Sequence, residues 1–204
     1  MRTITVEKTI YKFNELSDKA KEYAISEYDH DYDWFDSTYE WYVEKAEEIG
    51  YCTSAKEMQF SGFWSQGDGA SIAGTFNVEN WLKLNKLGNK YRALLMAAKE
   101  YDLEVHIRQS GNYVHSRTLC ANYDTYYLDD KPYKQLVEVA SQMLDQAITL
   151  SDDMYETLEK EYEYITSEEY FSELADANDY EFTEDGELVS VSYTHLRAHE
   201  TPEH

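Results

Sequence analysis

The chain has 204 residues, with 41 acidic against 18 basic, a formal net charge of −23 and 42% hydrophobic residues that include seven Phe, 20 Tyr and four Trp. That apolar content suffices for a real core, so the charge does not by itself impose disorder. The acidic excess argues against direct binding to DNA or RNA, where Lys and Arg must neutralise phosphates, and only two cysteines, Cys52 and Cys120, exclude a disulfide framework.

The opening residues MRTITVEKTIYKF lack an apolar segment followed by a small-residue cleavage site. No run approaches the roughly 18 uninterrupted apolar residues of a membrane span. A soluble protein of the cytoplasm is expected, with no membrane partner. Residues 3–13 alternate at Ile4, Val6, Ile10 and Phe13 and suggest an edge strand leading into a helix capped by Asn14 or Ser17. A second helix is predicted over 35–49, with Phe35, Tyr39, Tyr42, Val43 and Ala46 at helical spacing and Gly50 at its end.

A hairpin over 58–77 follows, and its stretch FSGFWSQGDGASIAG (60–74) is the most particular in the chain. It reads as two short strands joined by a glycine-rich turn that carries Gln66 and Asp68, with Trp64 just before it. Residues 78–101 read as one helix, with Trp81, Leu84, Leu87, Leu94, Leu95 and Ala98 inward. Strands are expected over 103–109 and 112–122, joined by a Ser110–Gly111–Asn112 turn. A long acidic helix over 132–164, a short one over 167–177 and a hairpin turning at Asp185–Gly186 complete the chain. The class is α+β: a small antiparallel sheet of four to five strands, covered on one face by three to four helices, in a single domain over 1–191.

Charge is unevenly placed. Residues 1–50 hold 13 acids and 6 bases, residues 51–144 hold 10 of each, and residues 145–190 hold 16 acids and one base, Lys160. One reading is a solvated surface that keeps the protein soluble. The other is an acidic face, with Asp152, Asp153, Glu156, Glu159 and Glu163 as its candidate residues, that imitates a phosphate backbone and occupies a basic nucleic-acid channel.

No GxSxG, HExxH, CxxC or phosphate-binding GxxxxGK[ST] motif occurs, so no catalytic residue is assigned and a non-enzymatic protein is expected. The acids at alternating positions in DHDYDWFD (29–36) suggest a calcium loop, but Trp34 stands where the sharp turn needs glycine. No metal and no cofactor is expected. A ligand site is a candidate in the middle of the chain. Side chains two apart on a strand share a face, which aligns Gly62, Trp64 and Gln66, then His106 with Arg108, then Tyr113 with His115. If both hairpins lie in one sheet, Trp64, Gln66, Asp68, Arg108, Tyr113 and His115 can gather around a planar or anionic ligand, with Arg108 giving bidentate contacts. The competing reading buries Trp64, uses Gly67 and Gly69 only for positive φ, and pairs Arg108 with a carboxylate.

Residues 192–204, SYTHLRAHETPEH, resemble a tail that recurs on unrelated reading frames running into residual sequencing adapter. An artefactual or disordered tail is expected there. The segments YKFNELSDKAKEYAISEY (11–28), FSGFWSQGDGAS (60–71) and EYEYITSEE with NDYEFTEDGEL (161–188) resemble a widespread family of phages and prophages, some of whose members carry an antitoxin-like label. The resemblance implies conflict biology of mobile elements in an infected or lysogenic bacterial host. Three functions are open: an inhibitor that binds a host immune effector, such as a Cas-type or restriction nuclease, through an acidic mimic of nucleic acid; a sponge for a nucleotide immune signal; and an antitoxin that binds a basic toxin.

Overall fold

A computed structural model describes residues 9–28 and 33–189. The tail at 192–204, the first residues of the expected edge strand and residues 29–32, the first half of the acidic run at 29–36, lie outside the described residues. The fold is α+β, with six α-helices, a four-stranded antiparallel sheet and a separate two-stranded one among the described residues. The chain divides into two compact units. Residues 33–160 form one, and among the described residues 9–28 together with 161–189 form the other.

The larger unit starts with α2 (Asp36–Glu48), which buries Tyr39, Tyr42 and Ala46 along one face. Then come β1 (Tyr51–Cys52), β2 (Met58–Phe60), β3 (Ala70–Ile72), β4 (Gly74–Asn77), α3 (Val78–Leu84), α4 (Arg92–Tyr101), β5 (Glu104–Gln109) and β6 (Leu119–Asn122). α5 (Asp130–Ile165) follows, and its residues to Lys160 belong to this unit. The main sheet runs β1-β4-β5-β6, all antiparallel, while β2 pairs with β3 alone. Alternation sets the two faces. Tyr51, Phe76, Val105, Ile107 and Leu119 are buried, packed with Leu136, Val139, Met143 and Leu158 of α5. Tyr51 stacks on its cross-strand partner Phe76 at 4.4 Å, and full burial of each ring is worth about 1.5–3 kcal/mol. The other face carries Cys52, Thr75, His106, Arg108 and Asn122, all at least partly exposed.

Three stretches differ from the sequence expectation. The helix expected over 78–101 is two helices, because the chain turns through Lys86 at φ 56° between them. Asn85 donates its side-chain N–H to the Trp81 carbonyl at 2.9 Å and helps to close the first. The strand expected over 112–122 begins only at Leu119, after a 3-10 turn at Ser116–Thr118. The 58–77 hairpin divides between two sheets, with β4 in the main one.

The smaller unit contains α1 (Asp18–Ser26) and α6 (Glu168–Ala177), capped by Ser17 and Ser167, whose hydroxyls accept from Ala20 and Tyr170 N–H. Its core is Phe13, Leu16, Ala20, Ala24, Phe171, Ala175 and Phe182. Tyr11, in the described end of the expected first strand, bridges Phe182, and Phe182 bridges Leu188 across the expected Asp185–Gly186 turn.

Candidate functional site

The loop 61–69, between β2 and β3, builds itself from its own motif. Asp68 Oδ2 accepts from the backbone N–H of Trp64 at 3.0 Å and of Ser65 at 2.6 Å. Ser61 Oγ accepts from Gly69 N–H at 3.1 Å and donates to the Val114 carbonyl at 3.3 Å, which ties the loop to the segment before β6. Gly62 and Gly67 take φ of 124° and 100°, conformations that favour glycine. Gly69 serves a different purpose from the positive φ expected of it. A Cβ there would stand 2.9 Å from His115 Cδ2 and 3.2 Å from His115 Cα, so the glycine permits a close approach.

The loop is seated on aromatic rings. Phe63 stacks on Phe60 at 5.5 Å, and Trp34 and Tyr155 flank it at 6.5 and 5.5 Å. Trp64 projects outward and is 76% exposed, which rules out a core role. Gln66 is exposed beside it. Tyr155, on α5, joins this loop to the acidic stretch. Partial burial raises its phenol above the ordinary value, with the charges of Glu159 and Asp68 adding to the effect. Asp152, Glu156 and Glu159 fall at i, i+4 and i+7 of α5, on one side of the helix with Tyr155, while Met154 and Leu158 point into the core.

Asp153 has a different task. Its carboxylate accepts from Tyr42 Oη at 2.9 Å and pairs with Lys45 Nζ at 3.0 Å. Partial burial opposes its ionisation, but the hydrogen bonds from Lys45 and Tyr42 hold it below the usual carboxylate range. Glu163 is exposed on α5 but belongs to the smaller unit.

The six candidate ligand residues do not gather at one place. Gly69, the residue after Asp68, packs on the His115 imidazole at the base of the loop, and His115 Nδ1 accepts from Arg117 N–H at 3.0 Å. Tyr113 is 74% exposed, and its carbonyl accepts from Gln109 Nε2 at 2.8 Å. Arg108 instead lines an open groove of about 610 Å³ on the outward face of the main sheet, and none of the other five lines that groove. The β2–β3 pair that carries the loop stands outside the main sheet, which holds Arg108 on β5, so Trp64 and Gln66 do not share a sheet face with Arg108. Among the described residues no three His, Cys, Asp or Glu side chains gather as metal ligands, and no helix is long and apolar enough to cross a membrane.

A family model described as a domain of unknown function, DUF8835, matches residues 34–168. The chain belongs to the DUF8835 family. The DUF8835 match takes in the motif loop, both sheets and the acidic stretch of α5 around Tyr155. No curated protein and no solved structure matches the chain.

Sequence reasoning missed Phe63 and Tyr155 as the pair that seats the loop. The signal was present in the aromatic residues flanking the motif, but periodicity cannot pair a loop with a helix some ninety residues later in the chain. It also missed the groove-forming residues Thr53, Ser54 and Gln59, which carry no motif.

Proposed function

We propose that the protein is a non-enzymatic inhibitor that binds the basic, nucleic-acid-binding surface of another protein through the Trp64 loop and the acidic side of α5. The observation that carries this reading is a largely exposed Trp64, held on a loop framed by Asp68 and seated on Tyr155 beside Asp152, Glu156 and Glu159. Tryptophan is the residue type most enriched at binding hot spots, and it works best when its surroundings exclude water. Carboxylates around it steer a basic partner, repel nucleic acid and make association sensitive to salt.

The resemblance of the motif segments to phage and prophage proteins supports a counter-defence role in the cytoplasm of an infected or lysogenic bacterium. The partner is then a host immune effector, such as a Cas-type or restriction nuclease, whose nucleic-acid channel the acidic surface occupies. An antitoxin acting on a basic toxin would use the same surface. The nucleotide sponge is weaker, since it needed Arg108 beside Trp64.

A cleavage assay tests the inhibition. Added to a reaction of the bound nuclease with its DNA, the wild-type protein slows cleavage and Trp64→Ala does so far less. Unhindered cleavage at saturating wild-type protein would remove the inhibitor reading.

A further inference from the structure

Arg108 is left unused by the protein-binding surface, and its surroundings form a second site. The outward groove it lines lies in a crease where β3 runs on into β4 and the two sheets diverge. Backbone-directed contacts fix the crease. Tyr51 Oη donates to the Ile72 carbonyl at 2.7 Å, Thr53 Oγ1 donates to the Ala73 carbonyl at 2.6 Å, and Ala73 N–H donates to the Glu57 carbonyl at 3.0 Å. Gly74 makes it possible, since a Cβ there would stand 2.5 Å from the Cys52 carbonyl oxygen.

Strand register sets the floor. Cys52, Thr75, His106 and Asn122 form one row across the sheet, and Arg108 stands two residues beyond His106 on the same face. His106 Nδ1 shares a hydrogen bond with Thr75 Oγ1 at 3.0 Å, which fixes the ring and leaves Nε2 3.8 Å from Glu104. The Arg108 guanidinium has no carboxylate partner among the described residues, although the chain carries 41 acids. Gln59 and Ser54 offer neutral donors and acceptors on the opposite wall, with Glu57 as a further acceptor.

We propose that this crease binds a small ligand carrying an oxyanion and hydroxyl groups, a sugar phosphate in chemical class. The guanidinium takes the oxyanion in a two-pronged contact. The amides, hydroxyls and Glu57 take the ligand's hydroxyls. The volume lies within the roughly 300–1,000 Å³ of small-molecule sites. The lining contains no Phe, Tyr or Trp to stack a base, so a nucleobase adds little. This site is independent of the Trp64 loop.

The test is a titration of the full chain, followed by amide and imidazole NMR shifts, with ribose 5-phosphate and with adenosine 5′-monophosphate. The expected result is a saturable response to ribose 5-phosphate centred on Ser54, Gln59, Thr75, His106 and Arg108. Arg108→Ala weakens it at least tenfold with the remaining spectrum unchanged, Arg108→Lys lies between, and Trp64→Ala leaves it intact. The proposal is overturned by the absence of saturation up to about 10 mM, tenfold above a millimolar Kd. A response unchanged in Arg108→Ala overturns it, as does one centred on the surface cations Lys83, Lys86 and Arg92. Binding of the nucleotide tenfold tighter than the sugar phosphate overturns the ligand class.

Discussion

The ring of Phe63 lies against that of Tyr155, with centroids 5.5 Å apart and planes inclined by 39°. This contact makes the motif loop and the acidic stretch of α5 one surface. Phe63→Ala removes it at a half-buried position, and a cost of about 1 kcal/mol, roughly half the full-burial figure, follows from the apolar area returned to water. Urea unfolding reads the loss, and amide exchange across 61–69 rises with it. An unchanged loop would mean that the Asp68 contacts alone hold it.

Asp68→Ala removes the acceptor for two backbone N–H groups while Trp64 stays in place. Hydrogen bonds to a charged acceptor are worth about 1.5–3 kcal/mol, and partial exposure brings the expected cost toward the lower figure. Asp68→Asn keeps one acceptor oxygen and recovers part of the loss. Thermal unfolding of the two variants gives the ranking.

Gly69→Ala and Gly74→Ala separate two kinds of crowding. At Gly69 the new methyl meets a histidine ring and its Cα, and overpacking costs about 1–3 kcal/mol. At Gly74 the obstacle is the backbone carbonyl of Cys52 at 2.5 Å, which cannot rotate away. Gly74→Ala is therefore the more damaging, and paired melting curves give the order.

Asp153 makes stability depend on pH. Its folded pKa lies below the unfolded value, so its stabilisation is complete above the unfolded value of about 3.9 and is lost as pH falls through the folded one. Lys45→Ala flattens that acid limb. Its cost at neutral pH stays below about 1 kcal/mol, because the pair is substantially exposed. Stability measured from pH 2 to pH 7 in both proteins gives the comparison.

Much of the fold was legible because local signals agreed with burial. Leu136, Val139, Ala140, Met143, Ala147, Met154 and Leu158 mark the inner face of α5 both by spacing and in the core. Ser17 was a correct cap for α1. The misread helix over 78–101 shows the limit. Leu84 and Leu87 continue the apolar spacing across the turn, yet Leu84 is exposed and Lys86 reverses the backbone. In the candidate site, the motif loop meets His115 through Gly69, while Arg108 lines a separate groove. Alternation says which residues share a strand face and not which strands share a sheet. The direction of Trp64 was equally hidden, because a loop has no periodicity.

The most direct measurement is capture from a lysate of bacteria bearing CRISPR and restriction systems, on immobilised wild-type protein, Trp64→Ala and a triple variant, Asp152→Asn with Glu156→Gln and Glu159→Gln. The expected result is one nucleic-acid-binding effector held by the wild-type protein at low salt and released by moderate salt or by duplex DNA. Trp64→Ala should weaken its retention by about thirtyfold, a hot-spot loss of about 2 kcal/mol, without changing the melting temperature. Retention by both variants equal to wild type, or a captured protein that DNA does not displace, would contradict the acidic-mimic surface.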